Sequence, residues 1–428
     1  MGKSYKPYDL DQTFLLPPSL REWLPSNHLV YFVADVVAAL DLSKIEDVHG
    51  SDERGQPPYH PAMMVALLFY AYCVGIPSSR KIEKKTYEDI AFRILAAGHH
   101  PDHDTISSFR NIHLPALKNL FLQILLLCQE AKLAKVGHVS IDGTKMKANA
   151  SKHKAMSYSR MIKREEELKQ EIEKLLAKAH ETDAEEDRLY GKGKTDDLPQ
   201  ELAFREERLK RIREAKAALE RRIKEEKGKD TPSPTHQINF TDSESRIMKD
   251  SATKEFIQGY NAQCAVDAQS QIILAADVTI ETNDKKQIEP MVSQIEENVG
   301  LPPGKLSADA GYYSEENIAF LQNRCIEPFL PPDRMHHTAA STPPVGRIPK
   351  NLSIADRMRR LLKTVRGKTL YGIRKETVEP VFGQIKEPRG FRRFLLRGLI
   401  KVKAEWQLIC LTHNILKLYR WKMAQESM

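Results

Sequence analysis

The chain has 428 residues, of which 41% are hydrophobic and 29% are charged, so it can form a packed core and wholesale disorder is excluded. The net charge of +8 favours a polyanionic partner, nucleic acid first, although such a charge can also serve solubility alone. Five dispersed cysteines without a CxxC pair argue against a zinc site and against a disulfide framework.

No targeting or membrane signal is evident. The first residues, MGKSYKPYDL, lack the apolar run of a signal peptide, and the apolar stretches 62–76 and 116–128 are too short to span a bilayer. We therefore expect a cytoplasmic protein that does not associate with a membrane. The length suggests two or three domains.

The first 130 residues are predicted to be helical. An apolar helix is expected over 27–41, and a buried helix that begins at Pro61 should end at Gly75. Two capped helices follow within 78–128, and a basic helix, a short turn and a second helix are compatible with helix-turn-helix docking on DNA. A plain helical bundle that positions another domain fits the same pattern, so both interpretations stay open at this point.

The turn between these two helices is rich in groups that can bind metals, namely His99, His100, Asp102, His103, Asp104 and, further on, His113. No pair of them has the fixed spacing of a zinc motif. We interpret the segment as a polar turn with a helix cap.

The middle of the chain begins with VGHVSIDGTKMKA (136–148), which predicts a strand that ends in Asp142. Over 155–229 the composition shifts to Glu, Lys, Arg, Leu and Ala, which predicts two long helices broken at GKGKTDDLP. Because this segment separates the first strand from those that follow, we interpret it as an inserted helical hairpin, a coiled coil. A solvated hairpin without chemistry is the simplest interpretation; dimer contact and non-specific DNA support are its candidate roles.

After a linker at 229–245, three strands are predicted from SRIMKDS, EFIQGYNAQCAVDAQ and SQIILAADVTIE, the last two joined as a hairpin near Gln269. A helix capped by Asn283 or Asp284 should follow and end at Gly300. The sequence KLSADAGYYS then predicts a short strand that ends in Asp309.

The late segment YGIRKETVEPVFGQIK (371–386) places one carboxylate among basic and phenolic groups. On a helix, Tyr371, Lys375, Glu379 and Lys386 fall within an arc of roughly 80°. A carboxylate suits a hard divalent cation, and lysine and arginine suit phosphate oxygens. An ordinary charged amphipathic helix explains the same pattern.

Pro380 complicates this helix, because proline removes a backbone hydrogen bond and clashes with the carbonyl four residues earlier. The helix is therefore either kinked near Glu379 or begins at Pro380. In the first case Lys375 shares the arc of Glu379, and in the second case the preceding loop can direct Arg374 towards DNA.

Two further stretches flank this segment. A Pro-rich loop is predicted over 331–351, and the end of the chain from GFRRFLL onwards is predicted to be helical. Its start carries a basic run that is either a DNA track or a solvated helix face: Arg389, Arg392, Arg393, Arg397, Lys401 and Lys403. Among the remaining carboxylates, we expect Asp267 to lie near the site as a supporting group.

Two strand-end aspartates thus precede a glutamate in a basic late segment. Together with SIDGTKMKANAS, SRIMKDS, GYNAQCAVD, ADAGYYS and TVEPVFGQIKEPRGFRRFLLRGLIKVKAEW, this order resembles the DDE transposases of bacterial insertion sequences. Within them it is similar to the IS-four/five-like branch, whose late motif is Tyr, Arg, Glu and Lys. The resemblance covers nearly the whole chain. In one departure, Lys375 rather than Arg374 has the motif's spacing to Glu379.

The resemblance implies a ribonuclease H-like α/β catalytic domain with an N-terminal all-helical domain and the inserted hairpin. The implied division is 1–130 for a DNA-binding domain, 131–154 with 230–428 for the catalytic domain, and 155–229 for the hairpin. In that layout the first and fourth strands lie side by side, which brings Asp142 and Asp309 together.

It further implies that Asp142, Asp309 and Glu379 are catalytic and bind two Mg²⁺ ions, with Mn²⁺ as a substitute. The residues implied to contact DNA are Tyr371, Arg374, Lys375, Lys386, Arg392 and Arg393. The implied partners are the element ends, the target DNA and a second copy of the chain in the DNA complex.

The function implied is that of a transposase, located in the cytoplasm at the nucleoid, which binds terminal inverted repeats and catalyses Mg²⁺-dependent DNA cleavage and strand transfer. Two alternatives remain. One is a DNA-binding or regulatory protein of transposon origin that has lost the chemistry. The other is a metal-dependent nuclease without strand transfer, since the same three carboxylates serve both reactions.

Overall fold

The computed structural model describes residues 19–47, 58–190, 200–250, 253–333 and 351–426. The predictions for the first residues, for the hairpin break at GKGKTDDLP and for most of the Pro-rich loop lie outside the described residues. The strands in chain order are β1 (His138–Lys147), β2 (Ala155–Ser157), β3 (Gln237–Asn239), β4 (Arg246–Lys249), β5 (Phe256–Asp267), β6 (Ile273–Thr279), β7 (Lys305–Ser307) and β8 (Glu327–Phe329).

Two groups of helices complete the fold. Those of the N-terminal part are α1 (Leu29–Ala38), α2 (Ser43–Glu46), α3 (Pro61–Cys73), α4 (Ser79–Glu88), α5 (Ile90–Leu95), α6 (His103–Ile112) and α7 (Leu114–Glu130). Those that follow are α8 (Tyr158–Tyr190), α9 (Gln200–Lys227), α10 (Ile288–Val299), α11 (Glu315–Asn323), α12 (Ile354–Lys363), α13 (Val365–Lys386) and α14 (Leu399–Glu426).

A mixed sheet lies at the centre, in the order β4–β5–β1–β7–β8, with β6 also paired to β5. β1 pairs antiparallel with β5 and parallel with β7, and β7 is parallel to β8. β4 and β6 pair antiparallel with successive parts of the other edge of β5. All but the first residue of β5 are buried, as its central position requires.

The C-terminal helix α14 joins the N-terminal helices to this sheet. Its residues Trp406, Leu408, Leu411 and Ile415 are fully buried, and the helix packs against α3, α7 and β6. One continuous hydrophobic core therefore contains the N-terminal helices, the sheet and α14.

The helices α8 and α9 stand apart from that core. They pack on each other through a separate cluster that includes Met161, Leu168, Leu219 and Ile223. Both helices emerge from the antiparallel ribbon of β2 and β3, in which Ser157 pairs with Gln237.

The polar turn before α6 has the predicted capping role. Asp102 Oδ1 accepts a 2.8 Å hydrogen bond from Thr105 N at the start of α6, and His103 Nδ1 lies 2.8 Å from Glu83 Oε2. Within the described ranges, histidine, cysteine and carboxylate side chains form no group of three that could hold a metal ion. The hydrogen bond from Thr105 N to Asp102 confirms the predicted helix cap.

One predicted helix begins later than expected. Residues 390–398 are not helical, and α14 begins only at Leu399. Gly390 and Gly398 have φ angles of 69° and 82°, which interrupt a helix, and the carboxylate of the buried Glu405 accepts the amide of Leu396 at 2.9 Å. Within this segment, residues 392–394 run beside β1. Lys147 N donates to Arg392 O at 3.3 Å, and Phe394 N donates to Lys147 O at 2.8 Å.

No single described helix is both long and apolar enough to cross a membrane. The bent pair α6 and α7 passes such a test by length and composition only, with a 59° angle between its members. Leu120, Phe121, Ile124 and Leu125 of α7 are buried in the common core.

Candidate active site

The first two acidic residues of the predicted triad lie on adjacent strands. Ser140 of β1 pairs with Ser307 of β7, and their hydroxyl oxygens are 2.9 Å apart. Asp142 and Asp309 each follow two residues after this last pair. Because β1 and β7 are parallel, both carboxylates lie at the same end of the strand pair, which is the adjacency that the resemblance implied.

Asp142 is largely removed from solvent, with a side chain 18% exposed. Burial raises the pKa of its carboxyl group to about 7, and the nearby Asp309 and Asp284 raise it too, while Arg374 and a 2.8 Å hydrogen bond from Gly143 N lower it. A buried carboxylate with other carboxylates beside it requires a cation for full ionisation.

The helix that carries Glu379 is continuous through Pro380. α13 begins at Val365, capped by Thr364, so the alternative in which it begins at Pro380 is wrong. Proline leaves the carbonyl of Glu376 without its helical donor, and the side chain of Gln271 supplies that donor at 2.7 Å. The strand turn after β5 therefore stabilises the helix at its proline.

Arg374 connects the helix to the strands. Its guanidinium donates to Asp142 Oδ2 at 2.9 Å and lies 3.7 Å from Glu379 Oε1. The Arg374 side chain is 12% exposed, whereas that of Glu379 is 55% exposed, and the guanidinium carbon lies 5.8 Å from the centroid of the Tyr371 ring. Asp142, Glu379 and Tyr371 thus all lie next to the guanidinium group of Arg374.

The other two basic residues of α13 differ from Arg374. Lys375, which has the family spacing, is exposed, and Lys386 is half-buried, so that burial lowers the pKa of Lys386. The helix is continuous, and the long side chain of Arg374 contacts Asp142. Which of Arg374 and Lys375 contacts a DNA phosphate stays a prediction.

Sequence reasoning missed a second charged pair, Lys145 and Asp284. Lys145 Nζ lies 3.7 Å from Asp284 Oδ1, and the same oxygen accepts hydrogen bonds from Asn261 at 2.6 Å and Gln263 at 2.8 Å. The Asp284 side chain does not cap the following helix, contrary to one of the two capping predictions. The sequence feature that could have pointed to this pair is Lys145, a lysine three residues after Asp142 in the same strand.

Asp267 does not lie beside the site, so that expectation is wrong. It pairs with Val139 at the other end of the β1–β5 ladder, whereas Asp142 pairs with Cys264. Its Oδ2 accepts hydrogen bonds from Ser270 N at 2.8 Å and Ser270 Oγ at 2.6 Å, which fix the turn before β6.

The basic run after α13 is not a single surface. Arg389 is buried and donates to Tyr72 O, Ile409 O and Thr412 Oγ1, so it ties α3 to α14 and cannot belong to a DNA track. Lys403 lies 2.8 Å from Asp277 Oδ1.

Two members of that run keep the exposure that a DNA contact needs. Arg392 and Arg393 are exposed on the extended segment next to Lys147, and Arg392 pairs with Glu387. The prediction that Arg392 and Arg393 contact DNA stays a prediction.

Carboxylate oxygens are the ligands that Mg²⁺ and Mn²⁺ prefer, so the donor chemistry of Asp142, Asp309 and Glu379 fits a hard divalent cation. In the present arrangement these three described side chains do not form a group that could hold one. The raised pKa of Asp142 fits too, since a cation would favour its ionised form. In the present arrangement the Arg374 guanidinium lies between Asp142 and Glu379. Arg374 would have to move for those two residues to share an ion.

The fold and the site together define a class. Antiparallel strands β6, β5 and β1 are followed by β7 and β8 parallel to β1, and two aspartates follow the last β1–β7 pair. A helix crossing this end of the sheet contributes a glutamate. This is a ribonuclease H-like α/β catalytic core.

Comparisons with known families agree with that class. A family model described as a transposase domain (DUF772) matches residues 18–111, and a model described as a transposase DDE domain matches residues 228–415. The chain belongs to the DDE transposases of insertion sequences, enzymes that cleave and transesterify DNA. Family members act on DNA and generally use divalent metal ions.

The matched segments have limits. Asp309 and Glu379 lie within the DDE match, whereas Asp142 lies between the two matched segments. No curated protein and no solved structure matches the chain.

Proposed function

We propose that this transposase binds the terminal inverted repeats of its element and catalyses Mg²⁺-dependent cleavage and strand transfer at the site formed by Asp142, Asp309 and Glu379. The observation that carries the proposal is the position of Asp142 in β1 and of Asp309 just after the adjacent parallel strand β7, with Glu379 linked to Asp142 through Arg374. A role as a regulator that has lost the chemistry is less well supported, because all three carboxylates are present.

Asp142, Asp309 and Glu379 would hold the divalent metal. When bound, Mg²⁺ activates the attacking oxygen and stabilises the leaving oxygen of a phosphodiester. Asp142 has to be ionised for this role. The position of Asp142 beside Arg374 supports its ionisation, and an incoming phosphate would offer Arg374 another anionic partner.

The basic and phenolic residues around the carboxylates would hold the DNA backbone. Arg374, Lys375 and Lys386 lie on α13, and Tyr371 stacks near Arg374. Arg392 and Arg393 extend the cationic surface past the end of that helix. Contacts of this kind fix the register of the duplex and are sensitive to salt.

We assign residues 1–130 to recognition of the element ends, supported by the exposed cations Arg80, Lys81 and Lys84 on α4. Residues 131–154 with 230–428 would form the catalytic domain. The inserted 155–229 hairpin would act as a coiled coil for dimer contact or DNA support. The protein would work in the cytoplasm at the nucleoid, away from membranes and as a homodimer on DNA.

Substitution of each carboxylate tests the catalytic proposal. Asp142→Ala, Asp309→Ala and Glu379→Ala should each abolish cleavage in Mg²⁺ while leaving binding to an end fragment within about threefold, because none of them is a proposed phosphate contact. Gel shifts and cleavage assays on the same labelled fragment measure both quantities. Asp277→Ala is the matched control, since Asp277 is an acidic residue of the sheet paired with Lys403 away from the site.

Cleavage at the wild-type rate by any of the three variants would remove that residue from the metal site. A separate assay with precleaved ends and plasmid DNA distinguishes the transposase from a nuclease. Joined products support strand transfer, and their absence alongside normal cleavage would favour a nuclease.

A further inference from the structure

One charged pair within the site has no role in the function proposed above. The Lys145 side chain is 12% exposed, and its Nζ lies 3.7 Å from Asp284 Oδ1. This separation is too long for a hydrogen bond, and among the described residues the buried Nζ atom has no hydrogen-bond partner. A buried ammonium group without a hydrogen bond is costly, so its retention requires a reason.

Asp284 is held in place by uncharged groups rather than by Lys145. Its Oδ1 accepts hydrogen bonds from Asn261 and Gln263, and Gln263 Oε1 accepts one from the buried Tyr312 hydroxyl. Tyr312 belongs to the turn that directly follows Asp309. The carboxylate next to Lys145 is therefore fixed relative to the strand end that carries Asp309.

The surroundings leave no room for a side chain at residue 143. A Cβ atom at Gly143 would lie 2.3 Å from Gln263 Nε2 and 3.0 Å from Asp284 Oδ1. A Cβ atom at Gly311 would lie 2.9 Å from Asp309 Oδ1 and 3.7 Å from Asp284 Oδ2. Asp284 thus lies between Lys145 on one side and Asp309 on the other.

Lys145 and Arg374 approach the strand ends from opposite faces of the sheet. Side chains alternate along a strand, so Gly143 and Lys145 face one side and Asp142 faces the other. Arg374 contacts Asp142 from the α13 side. A DNA strand that crosses the ends of β1 and β7 would meet Arg374 on one flank and Lys145 on the other.

We propose that Lys145 contacts the substrate through its ammonium group, which binds a backbone phosphate of the DNA near the cleavage position, and that Asp284 positions it. Because Lys145 Nζ is shielded from solvent in this structure, its side chain would have to turn outward for a phosphate oxygen to supply the hydrogen-bond acceptor that it lacks. The inference rests on the function proposed above, because it requires DNA to cross the site of Asp142 and Asp309.

The test combines a variant with a chemical change in the DNA. Lys145→Met is compared with the wild-type protein for binding, in Ca²⁺, to fluorescein-labelled duplexes that contain the terminal repeat read from the DNA flanking the gene. In a series of duplexes, one phosphate at or beside the cleavage position is replaced by an uncharged methylphosphonate. Lys305→Met is the matched control, because Lys305 lies at the opposite end of β7.

We expect one methylphosphonate to weaken wild-type binding by about tenfold, the size of a charge-assisted hydrogen bond. Lys145→Met should bind the unmodified duplex about tenfold more weakly, and the same methylphosphonate should cost it nothing further. Asp284→Asn should show part of this loss of coupling, and Lys305→Met should behave like the wild type. A purely structural lysine would weaken binding to every duplex equally, and that result would overturn the proposal.

A second variant keeps the proposal open to refutation. Lys145→Gln replaces Lys145→Met if thermal melting shows that Lys145→Met is poorly folded, and it should show the same loss of coupling. The failure of this inference can be distinguished from the failure of the proposed function. If the methylphosphonate and Lys145→Met are not coupled but Asp142→Ala fails to cleave DNA, only the role of Lys145 is wrong. If Asp142→Ala cleaves DNA, the proposed catalytic site is wrong.

Discussion

The guanidinium group of Arg374 lies between Asp142 and Glu379, where a metal ion bound by both carboxylates would have to lie. Its guanidinium is 2.9 Å from one carboxylate and 3.7 Å from the other, and both it and Asp142 are largely buried. A cation at this place keeps the acidic residues together before DNA arrives, because like charges at short range repel each other strongly.

The comparison of Arg374 with Lys375 gives a prediction at this scale. Arg374→Ala should weaken binding to an end fragment and lower the magnitude of the log–log salt slope by about one, because one phosphate contact is lost. Lys375→Ala should change the slope by less, since Lys375 is exposed and does not contact Asp142. Fluorescence anisotropy titrations between about 50 and 200 mM salt measure both slopes.

Lys375→Ala serves as the matched control, because the two residues are adjacent and carry equal charge. The opposite ranking, with the larger slope change for Lys375→Ala, would show that spacing along the helix rather than the observed contact selects the phosphate ligand.

The sequence was sufficient to select the acidic residues as candidates and insufficient for their neighbours. The predicted strand end before Asp309 matches β7, whereas the predicted strand end at Asp142 is wrong, because β1 continues to Lys147 through its pairing with β5. Asp284 joins the site only because amides of β5 hold its side chain, and Arg389 leaves the basic run only because α3 and α14 surround it. Such contacts depend on tertiary packing, which periodicity does not encode.

At the scale of elements, the docking of α13 and α14 on the turn before β6 depends on a buried histidine. His413 Nε2 lies 2.9 Å from Gln271 O, and its Nδ1 is paired with Gln384 of α13. Gln271 also donates to the carbonyl released by Pro380. Burial lowers the pKa of His413 to about 3, far below the ordinary value of 6.5.

A pH dependence of stability follows from this histidine. Its folded pKa is lower than its unfolded pKa, so its contribution is fully present above pH 6.5 and is lost as the pH falls towards 3. Between pH 7.5 and 5.5 the loss should be about 1.4 kcal/mol. Urea unfolding of the wild type and of His413→Gln at pH 7.5, 6.5 and 5.5 measures it.

Over the same pH range, the free energy of unfolding of His413→Gln should fall by about 1.4 kcal/mol less than that of the wild type, because the variant lacks this histidine. His138, whose pKa burial lowers to about 4, remains in both proteins and gives a common background slope. Identical acid dependence of the two proteins would mean that His413 is not the group that takes up the proton.

At the scale of the whole molecule, two cores of unequal size coexist. The larger core joins α1, α3 and α7 to the sheet through α14, so the described N-terminal helices share their apolar surface with the sheet. The smaller core lies between α8 and α9, which adjoin the β2–β3 ribbon. Two long helices in this region were predicted from composition, whereas the shared core was not, because contacts between distant segments leave no local pattern.

Excision of the hairpin tests this division. Residues 158–236 can be replaced by Asn-Gly, because Ser157 and Gln237 are opposite each other in an antiparallel ribbon and a two-residue turn joins such a pair. The shortened protein should keep the main unfolding transition within a few degrees and lose the heat absorbed by the hairpin. Differential scanning calorimetry of both proteins provides the comparison.

Two point variants are the controls for the excision. Leu411→Ala should destabilise the main transition by about 2–5 kcal/mol, and Leu219→Ala should affect the hairpin alone, since each side chain is fully buried in one core only. A shortened protein that fails to fold would mean that the hairpin and the larger core stabilise each other.

The β2–β3 ribbon also has a consequence for the order of folding. β1 and β5 pair from Lys147 with Gly259, which are 112 residues apart (259 − 147), and the ribbon removes 80 of these (237 − 157) when Ser157 meets Gln237. The remaining loop of 32 residues (112 − 80) closes at an entropic cost lower by about 1 kcal/mol. Early formation of α8 and α9, whose contacts are more local, would therefore bring the two central strands together and accelerate their pairing.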